Sequence, residues 1–205
     1  MHPGTLKRTV FFTDSRAKSN VTVFDTTLRD GEQTPGISFT REEKLGIAEQ
    51  LSLIGVHTIE AGFPASSDAE REIVKAIRGL GLDTQVCGLA RSLAADVDAC
   101  IDCDVDMVHV FIPTSDVQRE YTIRKTREQV LEATGDIIAY ARDHIGQCMF
   151  SAMDATRTDP DYLIEVYRTA VDAGATIINV PDTVGVITPT AMKHLITRID
   201  REVNC

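Results

Sequence analysis

The sequence predicts a parallel α/β fold: a (β/α)8 TIM barrel, here incomplete, with about six βα units. Three observations predict it. Short apolar runs rich in Val, Ile, Phe and Thr recur along the chain, as buried parallel strands do. Helix-length amphipathic stretches separate them, several opened by capping residues. Strand starts recur about every 31 residues, and eight such units would need about 250, the usual barrel size.

Taken in order, strands are predicted over Val21–Arg29, Thr58–Pro64, Gln85–Arg91, Met107–Ser115, Gln147–Ala155 and Thr176–Val184. Thr40 with Glu43, and Ser67 with Glu70, are spaced as capping boxes. Asp159-Pro160 and Thr188-Pro189 each set a capping residue before a proline at the first helical position. Ile73, Val74, Ile77 and Leu80 share one helical face, ended by Gly79 and Gly81; Leu163, Tyr167, Ala170 and Val171 repeat the pattern up to Gly174. A doubly wound open sheet is the competing architecture. No glycine-rich phosphate fingerprint follows the first strand, which weakens its dinucleotide-binding form. No linker divides the units. Residues 21–205 therefore read as one partial barrel domain, with 1–20 as an N-terminal extension whose Val10, Phe11 and Phe12 are candidates to pack beneath it.

Composition narrows the function classes. Hydrophobic residues at 43% and charged residues at 25% are those of a globular chain. No apolar run approaches the roughly 20 residues of a membrane helix, and the N-terminus carries no secretory pattern. The net charge of −10 disfavours nucleic acid as a partner. Five scattered cysteines do not read as a disulfide framework, and they fit a cytoplasmic location. Cys100 and Cys103 form a C-x-x-C near the end of a helical stretch, with no second ligand pair for zinc, so they read as structural.

In a parallel α/β fold the site forms at the carboxyl ends of the strands. There the sequence gathers polar groups: Asp25 to Gln33, Glu60, Arg91, His109 with Thr114 and Ser115, Ser151 with Asp154, Thr156 and Arg157, and Asp182 with Thr183. Helix capping accounts for some, Ser115 and Asp154 among them. The collection as a whole reads as functional, because buried charge is costly unless used or paired. Arg29-Asp30 is the most telling pair. A strand-end carboxylate binds a hard divalent cation, and an adjacent guanidinium holds a carboxylate or a developing oxyanion. Together they suit chemistry on a 2-oxo acid.

The stretch Asp25-Thr-Thr-Leu-Arg-Asp-Gly-Glu-Gln33 resembles the opening signature of the isopropylmalate, homocitrate and citramalate synthase family. Ile59-Glu-Ala-Gly-Phe-Pro64, Phe150-Ser-Ala-Met-Asp-Ala-Thr-Arg157 and Val180-Pro-Asp-Thr-Val-Gly185 agree in order. Among the subgroups, isopropylmalate synthase is nearest. The resemblance implies a metal-dependent barrel acyltransferase. It joins acetyl-CoA to a 2-oxo acid, 2-oxoisovalerate in the leucine-forming case, with a divalent cation (Mg, Mn or Zn) and a homodimer in the full-length protein. By the same resemblance Arg29 is the catalytic oxyanion stabiliser and Asp30 the metal ligand. Gln33, Glu60, His109 and Thr183 bind substrate, with Thr183 on its carboxylate, and Arg91 joins Glu60, His109 and Thr114 as a candidate for the 2-oxo-acid pocket that separates the subgroups. His109 alone fits a satisfied strand histidine equally well.

Two departures accompany the resemblance. The family completes its metal site with a His-x-His pair. No two of His2, His57, His109, His144 and His194 are so spaced, so further ligands are expected beyond Cys205, with about two more βα units. Met153 stands where similar proteins carry a glutamate. The residues leave open homocitrate or citramalate synthase, a metal-dependent aldolase or lyase, and an inactive truncated barrel.

Overall fold

The structure, a computed structural model, describes residues 21–203; the extension over 1–20, with Val10, Phe11 and Phe12, and Cys205 lie outside the described residues. Six strands follow in chain order: β1 (Phe24–Asp25), β2 (Thr58–Gly62), β3 (Gln85–Arg91), β4 (Met107–Pro113), β5 (Gln147–Met153) and β6 (Ile177–Asn179). Each pairs in parallel with the next, in the order β1-β2-β3-β4-β5-β6. The sheet curls into the wall of an incomplete TIM barrel. The helices are α1 (Arg41–Leu53), α2 (Asp68–Arg78), α3 (Ala94–Ile101), the short α4 (Asp116–Gln118), α5 (Arg127–His144), α6 (Pro160–Asp172) and α7 (Pro189–Val203).

Strand alternation sorts residues onto two faces. Val108, Val110 and Ile112 of β4, with Cys148, Phe150 and Ala152 of β5, join the large buried core formed with the helices. Cys87, Met107 and Met149, with Phe24 packed against them, form a separate apolar cluster on the other face. That cluster underlies the polar groups at the carboxyl ends.

The four central strands begin where predicted, and the edge strands are shorter than predicted. At β1, Thr27 N donates to Asp25 Oδ1 at 2.9 Å, and Thr26 O takes the amides of Arg29, Asp30 and Gly31. The backbone therefore turns out of the sheet immediately after Asp25. Beyond β6, Asp182 accepts from the amides of Val186 and Ile187 and folds that segment into a turn.

Most predicted caps form. Thr40 and Glu43 make the full box, and Asp159 caps α6 ahead of Pro160. At α2 the box is half-formed. Ser67 Oγ accepts from Glu70 N, but the Glu70 carboxylate is bonded to Lys44 Nζ and Phe63 N instead. A charge-assisted bond outcompetes a return to the cap amide.

Cys100 and Cys103 are buried free thiols aimed at different carbonyls, Leu89 O and Arg71 O. Burial pushes the Cys103 thiol up to about 11 and that of Cys100 higher still. Neither has the lowered pKa of a reactive thiol.

Candidate active site

The turn after β1 delivers Arg29 to the mouth of the curled sheet, where it meets Glu60 of β2. Arg29 Nε and Nη2 lie 2.7 and 2.6 Å from Glu60 Oε2, and Nη1 lies 2.9 Å from Asp30 Oδ1. Glu60 has no exposed surface. Burial alone would raise its carboxyl; the bonds from His109 and Arg29, with the Arg29 charge, hold it below the ordinary range instead. It therefore stays an acceptor.

Its other oxygen serves β4. His109 Nδ1 is 2.5 Å from Glu60 Oε1, and His109 Nε2 is 2.6 Å from Ser151 Oγ of β5. Asn179 Nδ2 of β6 donates to the same hydroxyl at 2.8 Å. An ionised Glu60 makes Nδ1 the donating nitrogen. In the neutral ring, Nε2 then accepts the hydroxyl proton that Ser151 has left over. One hydrogen-bonded chain thus runs Arg29, Glu60, His109, Ser151, Asn179, crossing β2, β4, β5 and β6.

Above it opens a cleft of about 520 Å³ lined by the first-strand residues Arg29, Asp30 and Gln33, by His109 and Ser151, and by Asp182 and Thr183. Leu89, Phe111, Met153 and Pro181 supply its apolar wall. Thr183 Oγ1 accepts from Asp154 N at 2.9 Å, which leaves its O–H free to donate. Asp154 is held for this in a left-handed conformation, φ 66°. Ser115 and Arg157 both bond its buried carboxylate.

Five of the predicted site residues, Arg29, Asp30, Gln33, His109 and Thr183, share this cleft; Glu60 lies beneath it. Arg91 does not line it. Its guanidinium makes two bonds to Asp96, at 2.7 and 2.9 Å, and lies over the Phe63 ring. The cause is local: Asp96, in the first turn of α3, also takes the Arg91 amide. Thr114 is likewise buried away from the cleft, bonded to Thr158 and to Met153 O. Asn179, Leu89 and Phe111 are not legible as site residues from strand-end position alone, and Ser151 is legible only as a strand-end polar group. Strand parity is the signal: His109 and Phe111, like Ser151 and Met153, sit two apart and face the same way.

Asp30 bonds Arg29 Nη1 through Oδ1 and keeps its side chain 60% exposed. Asp182 spends its oxygens on Thr156, Val186 and Ile187. Among the described residues no group of three His, Cys, Asp or Glu side chains is arranged to hold a metal. A hard cation takes about six oxygen donors, some of them water, so the described residues do not by themselves fit one.

The sequence pattern of the HMGL-like family matches residues 20–205. The chain belongs to the HMGL-like family. It is 58% identical over 200 residues to a probable 2-isopropylmalate synthase of Methanosarcina mazei, covering 97% of this chain and 39% of that protein. It is 51% identical over 183 residues to homocitrate synthase AksA of Methanopyrus kandleri, covering 89% of this chain and 46% of that one. The chain thus spans less than half the length of either relative. A hydroxymethylglutaryl-CoA lyase structure from Pseudomonas aeruginosa superposes with a TM-score of 0.76 at 24% identity, over 89% of this chain and 64% of that one. That likeness is one of fold.

Proposed function

We propose that the cleft is the 2-oxo-acid site of an acetyl-CoA-dependent condensing enzyme of the 2-isopropylmalate synthase type. The observation that carries this reading is Arg29, a cation held at a strand end by buried Glu60 and facing a cleft with a free hydroxyl donor, Thr183. In the reaction, a methyl C–H of acetyl-CoA gives up its proton, the enolate carbon bonds to the keto carbon, the keto oxygen takes up a proton to become a hydroxyl, and water cleaves the thioester to release CoA. Arg29 stabilises the oxygen that becomes negative. Thr183 O–H holds the substrate carboxylate. His109 and Ser151 form the floor. A divalent cation, Mg, Mn or Zn, belongs to the reading, with Asp30 as one donor of a set the described residues do not complete.

The apolar wall favours a branched side chain over a second carboxylate. Leu89, Phe111, Met153 and Pro181 line it, and Arg29 is the one cation among the lining residues; Arg91 is tied to Asp96. A dicarboxylic substrate wants a further cation. This separates the reading from homocitrate synthesis, the activity named for the 51% identical relative. The same reading carries a homodimer, a cytoplasmic location, and neither nucleic acid nor membrane as partner; no described helix is long and apolar enough to cross a membrane.

Calorimetric titration with 2-oxoisovalerate, 2-oxoglutarate and pyruvate tests it, with Arg29→Gln alongside. Tighter binding of the branched acid, lost in the variant, supports the reading. Equal affinity for the dicarboxylate, or binding indifferent to Arg29, overturns it. In a protein of the relatives' length, thiol release from acetyl-CoA with Mg²⁺ or Mn²⁺ reads the condensation itself.

A further inference from the structure

The segment that presents Arg29, Asp30 and Gln33 is turned by its own backbone bonds to Thr26 O, but its strand pairing to the rest of the sheet is short. β1 pairs with β2 through two residues only, Phe24 with Thr58 and Asp25 with Ile59. Yet Arg29 must be placed accurately to meet Glu60. A second linkage lies on the helix side of the sheet. Lys44 of α1 is 2% exposed, and its Nζ lies 2.7 Å from Glu32 Oε2 and 2.8 Å from Glu70 Oε2. Both carboxylates reach further. Glu32 Oε1 accepts from Phe39 N, closing the loop that follows β1, and Glu70 Oε1 accepts from Phe63 N, just past β2. The Glu70 carboxylate is pressed so closely onto β2 that a Cβ on Gly62 would overlap it. Burial alone would lower the Lys44 ammonium, but the two carboxylates hold it above its ordinary value, so it stays charged.

We infer that Lys44 is a positioning residue for the site, fixing the Arg29–Gln33 loop to the end of β2 through Glu32 and Glu70. The loop is then held at two points, by Arg29 to Glu60 inside the barrel wall and by Glu32 to Lys44 outside it. Neither the two-residue strand nor the capping box of α1 supplies that second point. The inference rests on this geometry and holds whatever substrate the cleft takes.

The test is hydrogen exchange and arginine side-chain NMR on the chain with Lys44→Met, Glu32→Gln and, as a surface control, Glu72→Gln. Glu32→Gln cuts only the loop side of the linkage. The expected result is a rise of about tenfold in amide exchange over residues 24–39 and a shift of the Arg29 Nε–H resonance in both Lys44→Met and Glu32→Gln. β3 to β5 stay protected and Glu72→Gln changes nothing. Unchanged loop exchange and an unmoved Arg29 resonance in Glu32→Gln overturn the inference. So does a rise spread evenly over all strands, which signals general loss of stability. Should Lys44→Met fail to fold, Glu32→Gln decides alone.

Discussion

Arg29 and Glu60 meet with two guanidinium nitrogens, Nε and Nη2, on one carboxylate oxygen, Oε2, leaving Oε1 to His109. A single buried carboxylate therefore orients both the cation of the cleft and its floor. Glu60→Gln removes the charge while keeping the shape. Breaking such a pair typically costs about 3 kcal/mol, and urea unfolding at neutral pH should show it. Weaker binding of 2-oxo acids should accompany it, since Arg29 loses its anchor.

The pH dependence has a definite sign. Glu60 titrates below its ordinary value in the folded chain, so the unfolded chain binds more protons at low pH. Its contribution is fully present above the unfolded glutamate value of about 4.3 and is lost as pH falls through the lower folded value. Asp154, also held down, adds to the same loss. Denaturation midpoints measured from pH 7 to pH 3 should fall in the acid range. Glu60→Gln should flatten that fall; an identical profile would separate Glu60 from the effect.

Ser151→Ala deletes the partner of both His109 Nε2 and Asn179 Nδ2. Buried His109 then lacks its Nε2 partner, at about 1–3 kcal/mol, while half-buried Asn179 lines the cleft and turns its amide to water. The His109 ring resonances should shift in the same variant. Ring signals like those of the parent would mean that Ser151 is not the partner of Nε2.

Gly62→Ala would drive a Cβ into Glu70 Oε1 and against Val74. The carboxylate must move, which loosens its bonds to Lys44 and Phe63 N. Overpacking of this kind costs about 1–3 kcal/mol, readable as a lower melting temperature. At Gly36, where no heavy atom lies within 4 Å of an added Cβ but φ is +86°, any cost would come from the backbone alone.

Met153 lines the cleft with no charge of its own. Met153→Glu adds a carboxylate to the wall that holds Arg29 and Asp30. In a protein of the relatives' length, turnover with acetyl-CoA and a 2-oxo acid should rise if an acid or a hard-cation donor is what the position lacks. An unchanged rate would sink that idea.

Local order is legible from the chain alone, because it is dictated by neighbours in sequence. Short apolar runs mark all six strands. The Thr40–Glu43 box and Asp159-Pro160 mark helix starts. The carboxyl-end rule collects Arg29, Asp30, Gln33, His109 and Thr183, and the cleft brings those five together. What tertiary structure alone decides is the partners. Arg91 stands at a strand end like Arg29, yet Asp96 claims it. Glu70 has the spacing of a capping-box acid, yet Lys44, 26 residues away, claims it. Ser151 and Asn179 join the site because curling brings their inward faces toward His109. A charged side chain bonds whichever opposite charge the fold places beside it, and that neighbour is set by register and curvature rather than by spacing along the sequence.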